Sequence, residues 1–360
     1  MKRVFISDCE GPISKNDNAF EATAHFVPNG DKLFALVSKY DDVLADVFKK
    51  QGYSAGSTLK LILPFLKAYS VTDRQITEFS AQNLILIAGS RDTLQHVRTI
   101  APAYIVSTSY EHYIRALCRA LEFPYENTYC TRLSIDNYKL TQHEKSRLQK
   151  TADEIARMPM ITIPPAAKGI KDFSSADQET ISRLDTIFWN EIANMRIGSI
   201  FSEVKTVGGE QKAEAIKDAV KKLRTPLEDV MYVGDSITDV EAFKLVRDNG
   251  GLTVSFNGNQ YAVKNAEVAV LAENNITTAI IVDFFCKFGK RETLQMLRSW
   301  NRETLRKSTV APLLLEKLFA LYPAALPKLQ IVTTENMETL VKESSEFRKK
   351  VRGEAIGRLG

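Results

Sequence analysis

Cysteine is scarce in this chain of 360 residues, with only Cys9, Cys118, Cys130 and Cys286. No two of them form a CxxC pair. That spacing supports neither a disulfide framework nor a zinc site, and it fits a reducing cytoplasm. Long apolar runs are also missing. Stretches such as residues 280–285 fall far below the length that spans a bilayer, so no membrane partner is expected. Met1-Lys2-Arg3 leads straight into an apolar run too short to be the h-region of a signal peptide. Neither a convincing repeat nor a low-complexity tract is present. The net charge of +4 is small for this length and leaves no electrostatic footprint for nucleic acid. What remains is the composition of a soluble globular protein, long enough for two or three domains.

What is present begins with Arg3-Val4-Phe5-Ile6-Ser7-Asp8-Cys9-Glu10-Gly11-Pro12. Val4, Phe5 and Ile6 read as a buried strand, which stops at a carboxylate and is broken by Gly11-Pro12. An acid at the C-terminal end of a buried parallel strand stands where open α/β sheets bind ligands. Taken alone, Asp8 could equally well do no more than end the strand.

After Pro12 the pattern turns helical over residues 16–82. Phe34, Leu36, Val37, Val43, Leu44, Val47 and Phe48 recur at helical spacing. Asp41-Asp42 suits a helix start, Thr72-Asp73-Arg74-Gln75 suits another, and Pro64 is expected to kink or split the stretch 59–69. His25 reads as structural or exposed rather than as a ligand. Strand–helix alternation then resumes. Strands are expected at 103–106, 230–233, 251–256 and 267–271, with helices at 90–100, 111–121, 210–223 and 239–246. Ser107-Thr108-Ser109 is either an anion site built on free backbone N–H groups or a routine helix cap. A second insert covers 136–197, with helices at 143–155 and 177–195. From 277 onward the pattern is helical, and Arg348-Lys349-Lys350-Val351-Arg352 is expected to be a solvated helix face.

Parallel strands place their C-terminal ends on one edge, so Asp8, Ser107, Asp235 and Asp239 can converge although they are far apart in sequence. Carboxylates gathered in one crevice repel each other unless a cation neutralises them. Oxygen donors of this kind favour Mg²⁺ over Zn²⁺, with phosphate as the usual companion.

Four segments, in order, carry a family resemblance. Val4-Phe5-Ile6-Ser7-Asp8-Cys9-Glu10-Gly11 resembles a hydrophobic strand followed by DxDG. Tyr104-Ile105-Val106-Ser107 resembles a strand ending in Ser or Thr. Lys212, in Gly208-Gly209-Glu210-Gln211-Lys212-Ala213, resembles a Lys near a helix start. Val233-Gly234-Asp235-Ser236-Ile237-Thr238-Asp239 resembles GDxxxD. The set is similar to the haloacid dehalogenase (HAD) superfamily of aspartate-nucleophile phosphatases, and most similar to its phosphoserine-phosphatase-like branch. The chain also resembles an archaeal HAD-like group labelled energy-converting hydrogenase subunit R, although no Cys cluster for iron–sulfur ligation accompanies that likeness.

The resemblance implies an α/β fold: a Rossmann-like parallel sheet with a helical cap, a second helical insert and a C-terminal helical extension. Its expected divisions are a core of residues 1–15, 86–135 and 198–276, a cap of 16–85, an insert of 136–197 and an extension of 277–360. It implies a Mg²⁺-dependent phosphatase acting on a small phosphorylated metabolite through an aspartyl-phosphate. Asp8 would be the nucleophile, Glu10 the acid/base, and Ser107, Thr108 and Lys212 the phosphoryl-binding groups. Asp8, Glu10 (through its backbone carbonyl), Asp235 and Asp239 would hold Mg²⁺. Lys212 has the alternative of an exposed helical Lys, and Asp239 that of a capping acid. The departure is Glu10, where the family's phosphatases usually carry Asp. The extra methylene moves the carboxyl by roughly 1 Å, a displacement on a scale that can cost about a hundredfold in rate. Glu10 is therefore a repositioned acid/base, a mark of a weak or inactive HAD-like subunit or regulator, or a sign of phosphotransfer to another acceptor. The C-terminal helices would suit a homodimer or a larger complex. Arg91, Tyr110, His112 and Arg115 flank the second motif as pocket candidates or surface residues.

Overall fold

The structure is a computed structural model and describes residues 3–359. Seven short runs form one sheet: β1 (Val4–Ser7), β2 (Ala103–Tyr110), β3 (Thr128–Thr131), β4 (Val230–Gly234), β5 (Leu252–Phe256), β6 (Val268–Leu271) and β7 (Lys328–Ile331). Their spatial order is β3-β2-β1-β4-β5-β6-β7. The first six are parallel and β7 is antiparallel to β6.

Period-two alternation sends neighbouring side chains to opposite faces. Phe5, Ile105, Met231 and Val233 enter one apolar layer, with residues of the helices Ser90–Ile100, Glu111–Leu121 and Ile276–Phe288. Val4, Ile6, Val106, Val230 and Tyr232 enter the other, with residues of the helices Glu210–Leu223 and Val240–Asp248. Each fully buried side chain of this size contributes about 1.5–3 kcal/mol, so slipping a strand by one residue would forfeit much of both layers.

The helical segments 16–85 and 136–197 do not stand apart. Leu33, Val37, Tyr40 and Phe65 from the first pack with Leu148, Ile155, Leu184 and Phe188 from the second in one apolar cluster. The first segment leaves and rejoins the core side by side, with Lys15 N–H donating to Ile85 O (2.8 Å) and Ile87 N–H to Ile13 O (2.9 Å). Pro64 splits the stretch as expected, sitting in the first turn of the helix Leu63–Ala68. Thr72 and Gln75 form a reciprocal cap. The ring of His25 packs against Phe26 and Phe79.

Several expectations are corrected. Asp41 and Asp42 end the helix Gly30–Asp42 rather than starting one, and Asp41 turns inward to accept from the Gly56 and Thr58 N–H groups. The segment 277–360 is not wholly helical, because β7 closes the sheet. β3 was not anticipated, and β2 runs on to Tyr110 with an irregular register beside it. Arg348 and Arg352 are buried rather than solvated.

Candidate active site

β1 and β4 are neighbours with Ser7 opposite Val233, and the strand order reverses between them. That reversal opens a crevice beyond the carboxyl ends of the strands. Asp8 and Asp235 each follow one of the two strands and meet there. Two glycines permit the approach. A Cβ on Gly11, whose φ is +106°, would lie 2.0 Å from Asp235 Oδ2, and one on Gly234 would lie 2.5 Å from the carboxyl carbon of Asp239. The loop after Asp8 can therefore lie against Asp235 only because residue 11 has no side chain.

Lys212 is fully buried and bridges Asp8 and Asp239, with Nζ 2.7 Å from an oxygen of each. Unpaired, a charge so placed would be very costly. Burial alone would lower its pKa, but the Asp239 and Asp8 charges override burial and hold it above the usual lysine range. Asp8 Oδ1 accepts from the Cys9 N–H at 2.6 Å. Burial raises the Asp8 carboxyl to about 7, with Lys212 opposing and Asp239 and Asp235 adding to the rise. Burial also works to raise Asp239, but Lys212, the Tyr232 hydroxyl and the Asp235 N–H outweigh it and hold that carboxyl low. Both Asp239 oxygens are engaged. Oδ1 accepts from Lys212 and from Tyr232 (2.6 Å), and Oδ2 accepts from the Asp235 (2.9 Å) and Ser236 (3.0 Å) N–H groups.

Ser107 is buried at the edge of the cleft and its Oγ accepts from the Ser109 N–H at 3.2 Å. Thr108 lines the same cleft, with its buried Oγ1 unpartnered. Glu10 is half-buried. Its Oε1 accepts from the Asn18 N–H at 2.7 Å, at the start of the helix Asn18–Phe26. Burial, reinforced by the charge of Asp17, pushes Glu10 well above the usual carboxylate range.

The cleft is small, about 90 Å³, and is lined by the core, by segment 16–85 and, through Arg348, Arg352 and Leu359, by the C-terminal segment. Asp8, Glu10, Ser107 and Asp235 stand on the core side. Asp17, Phe34, Asp41, Asp42 and Thr58 of segment 16–85 face them. No residue of segment 136–197 lines it, so that segment supports the first from behind. Arg91, Tyr110, His112 and Arg115 stay outside. Tyr110 donates to Leu59 O and His112 pairs with Asp73, while Arg91 and Arg115 are exposed.

Three contributors lay beyond the sequence reading. Asp17 caps the helix Asn18–Phe26, accepting from the Phe20 N–H at 3.0 Å. The other two are Arg348 and Arg352, from the helix Met337–Arg352. Both guanidiniums reach Asp235 Oδ2, Arg352 at 2.9 Å. Arg352 also donates to Lys15 O (2.9 Å) and Asn16 O. The signal was spacing: Leu340, Ser344, Arg348 and Arg352 are four apart and form the buried stripe of that helix.

Carboxylate oxygens of Asp8, Asp235 and Asp239 lie within 4.8 Å of one another. An all-oxygen donor set of this size fits a hard divalent cation, and the convergence of two guanidiniums on Asp235 shows the demand for positive charge there. The haloacid dehalogenase-like hydrolase family model matches residues 98–281, just over half of the chain. The chain belongs to that family. The matched region contains Ser107, Lys212, Asp235 and Asp239, while Asp8 precedes it and joins them through β1. A gene product of Archaeoglobus fulgidus has the same fold: 24% identity, 100% of this chain and 99% of that one covered, TM-score 0.79. Phosphoserine phosphatase in its apo form aligns at 12% identity over 81% of this chain and 100% of its own, with a TM-score of 0.42, too weak a likeness to transfer anything. A search of curated proteins gives no match. No described helix is long and apolar enough to cross a membrane.

Proposed function

We propose that the protein is a phosphomonoesterase that hydrolyses a small phosphorylated metabolite through an aspartyl-phosphate. The observation that carries this reading is the placement of Asp8: at the strand-order reversal, held by Lys212 and the Cys9 N–H, opening into the cleft beside Asp235. An Asp8 carboxylate oxygen attacks phosphorus, the P–O bond to the leaving group breaks, and water later releases phosphate from the aspartyl-phosphate anhydride. Ser107, Thr108 and Lys212 hold the phosphoryl oxygens and balance their charge. Glu10 gives a proton to the departing oxygen and then takes one from water. Its raised pKa suits the first of these roles. Mg²⁺, held by Asp8, Asp235 and the Glu10 carbonyl, would neutralise charge on the phosphoryl group. Asp239 acts here chiefly by fixing Lys212.

The test is hydrolysis of an aryl phosphate with and without Mg²⁺. Asp8→Asn should lose at least about a thousandfold in rate, because the nucleophile is gone. Glu10→Gln should lose about a hundredfold or more. Mg²⁺-dependent turnover that survives Asp8→Asn would sink the reading.

A second reading has one observation in its favour. Arg348 and Arg352 already neutralise Asp235, as they would in a regulator or complex subunit that keeps the site without turning over. Absence of hydrolysis across a panel of phosphate esters, with co-purification in a larger assembly, would favour it.

A further inference from the structure

The helix Met337–Arg352 is anchored at its N-terminal half. Leu340 packs with Val263 and Ala269, and the Ser344 hydroxyl donates to Gly258 O at 2.6 Å. Its C-terminal half buries Arg348 and Arg352, whose side chains are 3% and 4% exposed. Both converge on one oxygen, Asp235 Oδ2. They are an i,i+4 pair of like charges, an arrangement that is unfavourable unless an anion lies between them. Arg348 Nη1 also reaches Asp235 O at 3.2 Å, while its buried Nε has no partner. Two cations thus share a single carboxylate oxygen beside the Asp8–Lys212–Asp239 cluster, with Asp17 as a further acid facing both.

We propose that Arg348 and Arg352 are an intramolecular substitute for the divalent cation, and that metal binding at Asp235 requires the arginine end of this helix to withdraw. The inference rests on the assignment of Asp235 to the metal. A divalent ion ligated by Oδ2 would sit within a few ångströms of both guanidiniums, where like charges repel strongly. Metal and arginines are therefore alternative occupants, and each lowers the apparent affinity of the other by the same factor. Arg352 extends the consequence to the cap. Through Lys15 O and Asn16 O it holds the loop by which segment 16–85 leaves the core. Beyond the helix, Leu359 lines the cleft, and Arg358 borders a groove with Phe20 and Asp31. Withdrawal thus frees the loop by which the cap departs and one edge of the cleft together.

The test is calorimetric titration of the full chain with Mg²⁺, comparing the native protein with the double variant Arg348→Met, Arg352→Met. Native protein is also followed by amide hydrogen exchange with and without Mg²⁺, which keeps the test valid if the variant misfolds. The double variant should bind Mg²⁺ about tenfold or more tightly, the gain expected when a competing closed state is removed. Peptides covering residues 346–352 and 13–17 of the native protein should exchange faster with Mg²⁺. Equal affinity in the two proteins, no binding to either, or exchange that slows or stays constant would overturn the inference. Tighter binding and faster exchange in a protein that hydrolyses no phosphate ester would uphold it and remove the phosphatase reading instead.

Discussion

Asp8 and Asp235 end adjacent strands, yet different parts of the chain neutralise them. Asp8 is served by Lys212, on a helix of the core that packs directly on the sheet. Asp235 is served by Arg348 and Arg352, on a helix that starts more than a hundred residues later. The lysine is shared with Asp239, whose oxygens are fixed by Tyr232 and two backbone N–H groups, so every member of that cluster holds another in place. The arginines are less closed: Arg352 is also held by Lys15 O and Asn16 O, but Arg348 Nε is unpartnered and both share a single carboxylate oxygen. The first pairing is part of the core's architecture. The second is a lid of charge laid over the site.

The sharpest way to break this contrast is Lys212→Met. Methionine keeps much of the stem's volume but leaves Asp8 and Asp239 buried without their cation. Removing one partner of a buried pair costs about 3–5 kcal/mol, and added Mg²⁺ should not restore it, because Asp239 faces the lysine. Urea denaturation at neutral pH measures this. Loss of less than about 1 kcal/mol would show that the cluster relaxes without its lysine.

How much of this was legible follows the same division. Asp8, Ser107, Lys212 and Asp235 could be found because each stands at a fixed offset from a strand end or helix start, and sheet topology brings those points together. Their short apolar runs show in the sequence because both faces of each strand are buried. β3 and β7 escaped for the opposite reason. Thr-Tyr-Cys-Thr is half-buried at one sheet edge, and Lys-Leu-Gln-Ile shows one apolar face at the other. Asp17 carries no motif of its own; the structure makes it a helix cap as well as a wall of the cleft. Arg348 and Arg352 escaped because the lysines between them are half-buried (Lys349) and exposed (Lys350), so the run as written resembles a solvated face. Only the four-residue stripe from Leu340 betrays burial. Nothing local could reveal its partner Asp235.

Arg352→Ala sharpens the comparison from the other side. It removes the contacts to Lys15 O, Asn16 O and one of two cations on Asp235, while Arg348 remains. The expected loss is about 2 kcal/mol in metal-free protein, smaller than for Lys212 because Asp235 keeps a partner. Unlike the Lys212 loss, it should shrink when Mg²⁺ is added if metal and arginines compete as proposed, since bound metal would already have displaced this contact. Thermal denaturation with and without Mg²⁺ reads both values. A loss that stays the same in Mg²⁺ would make the arginines permanent structure, as Lys212 is.

The smallest expected effect is Tyr232→Phe. The change removes only the hydroxyl that donates to Asp239 Oδ1 at 2.6 Å, and the ring keeps its edge-on packing against Phe243. A hydrogen bond to a charged group contributes about 1.5–3 kcal/mol, and the low end applies because Lys212 still pairs with the same oxygen. Stability should therefore fall by about 1.5 kcal/mol, with Mg²⁺ affinity unchanged, since neither Asp8 nor Asp235 contacts that hydroxyl. Asp239 would hold Lys212 less firmly, so aryl phosphate turnover should fall several-fold while KM stays constant. A change in Mg²⁺ affinity instead would mean that Asp239 binds the cation itself. The lysine cluster and the arginine lid would then be two counter-ions of one metal site rather than separate devices.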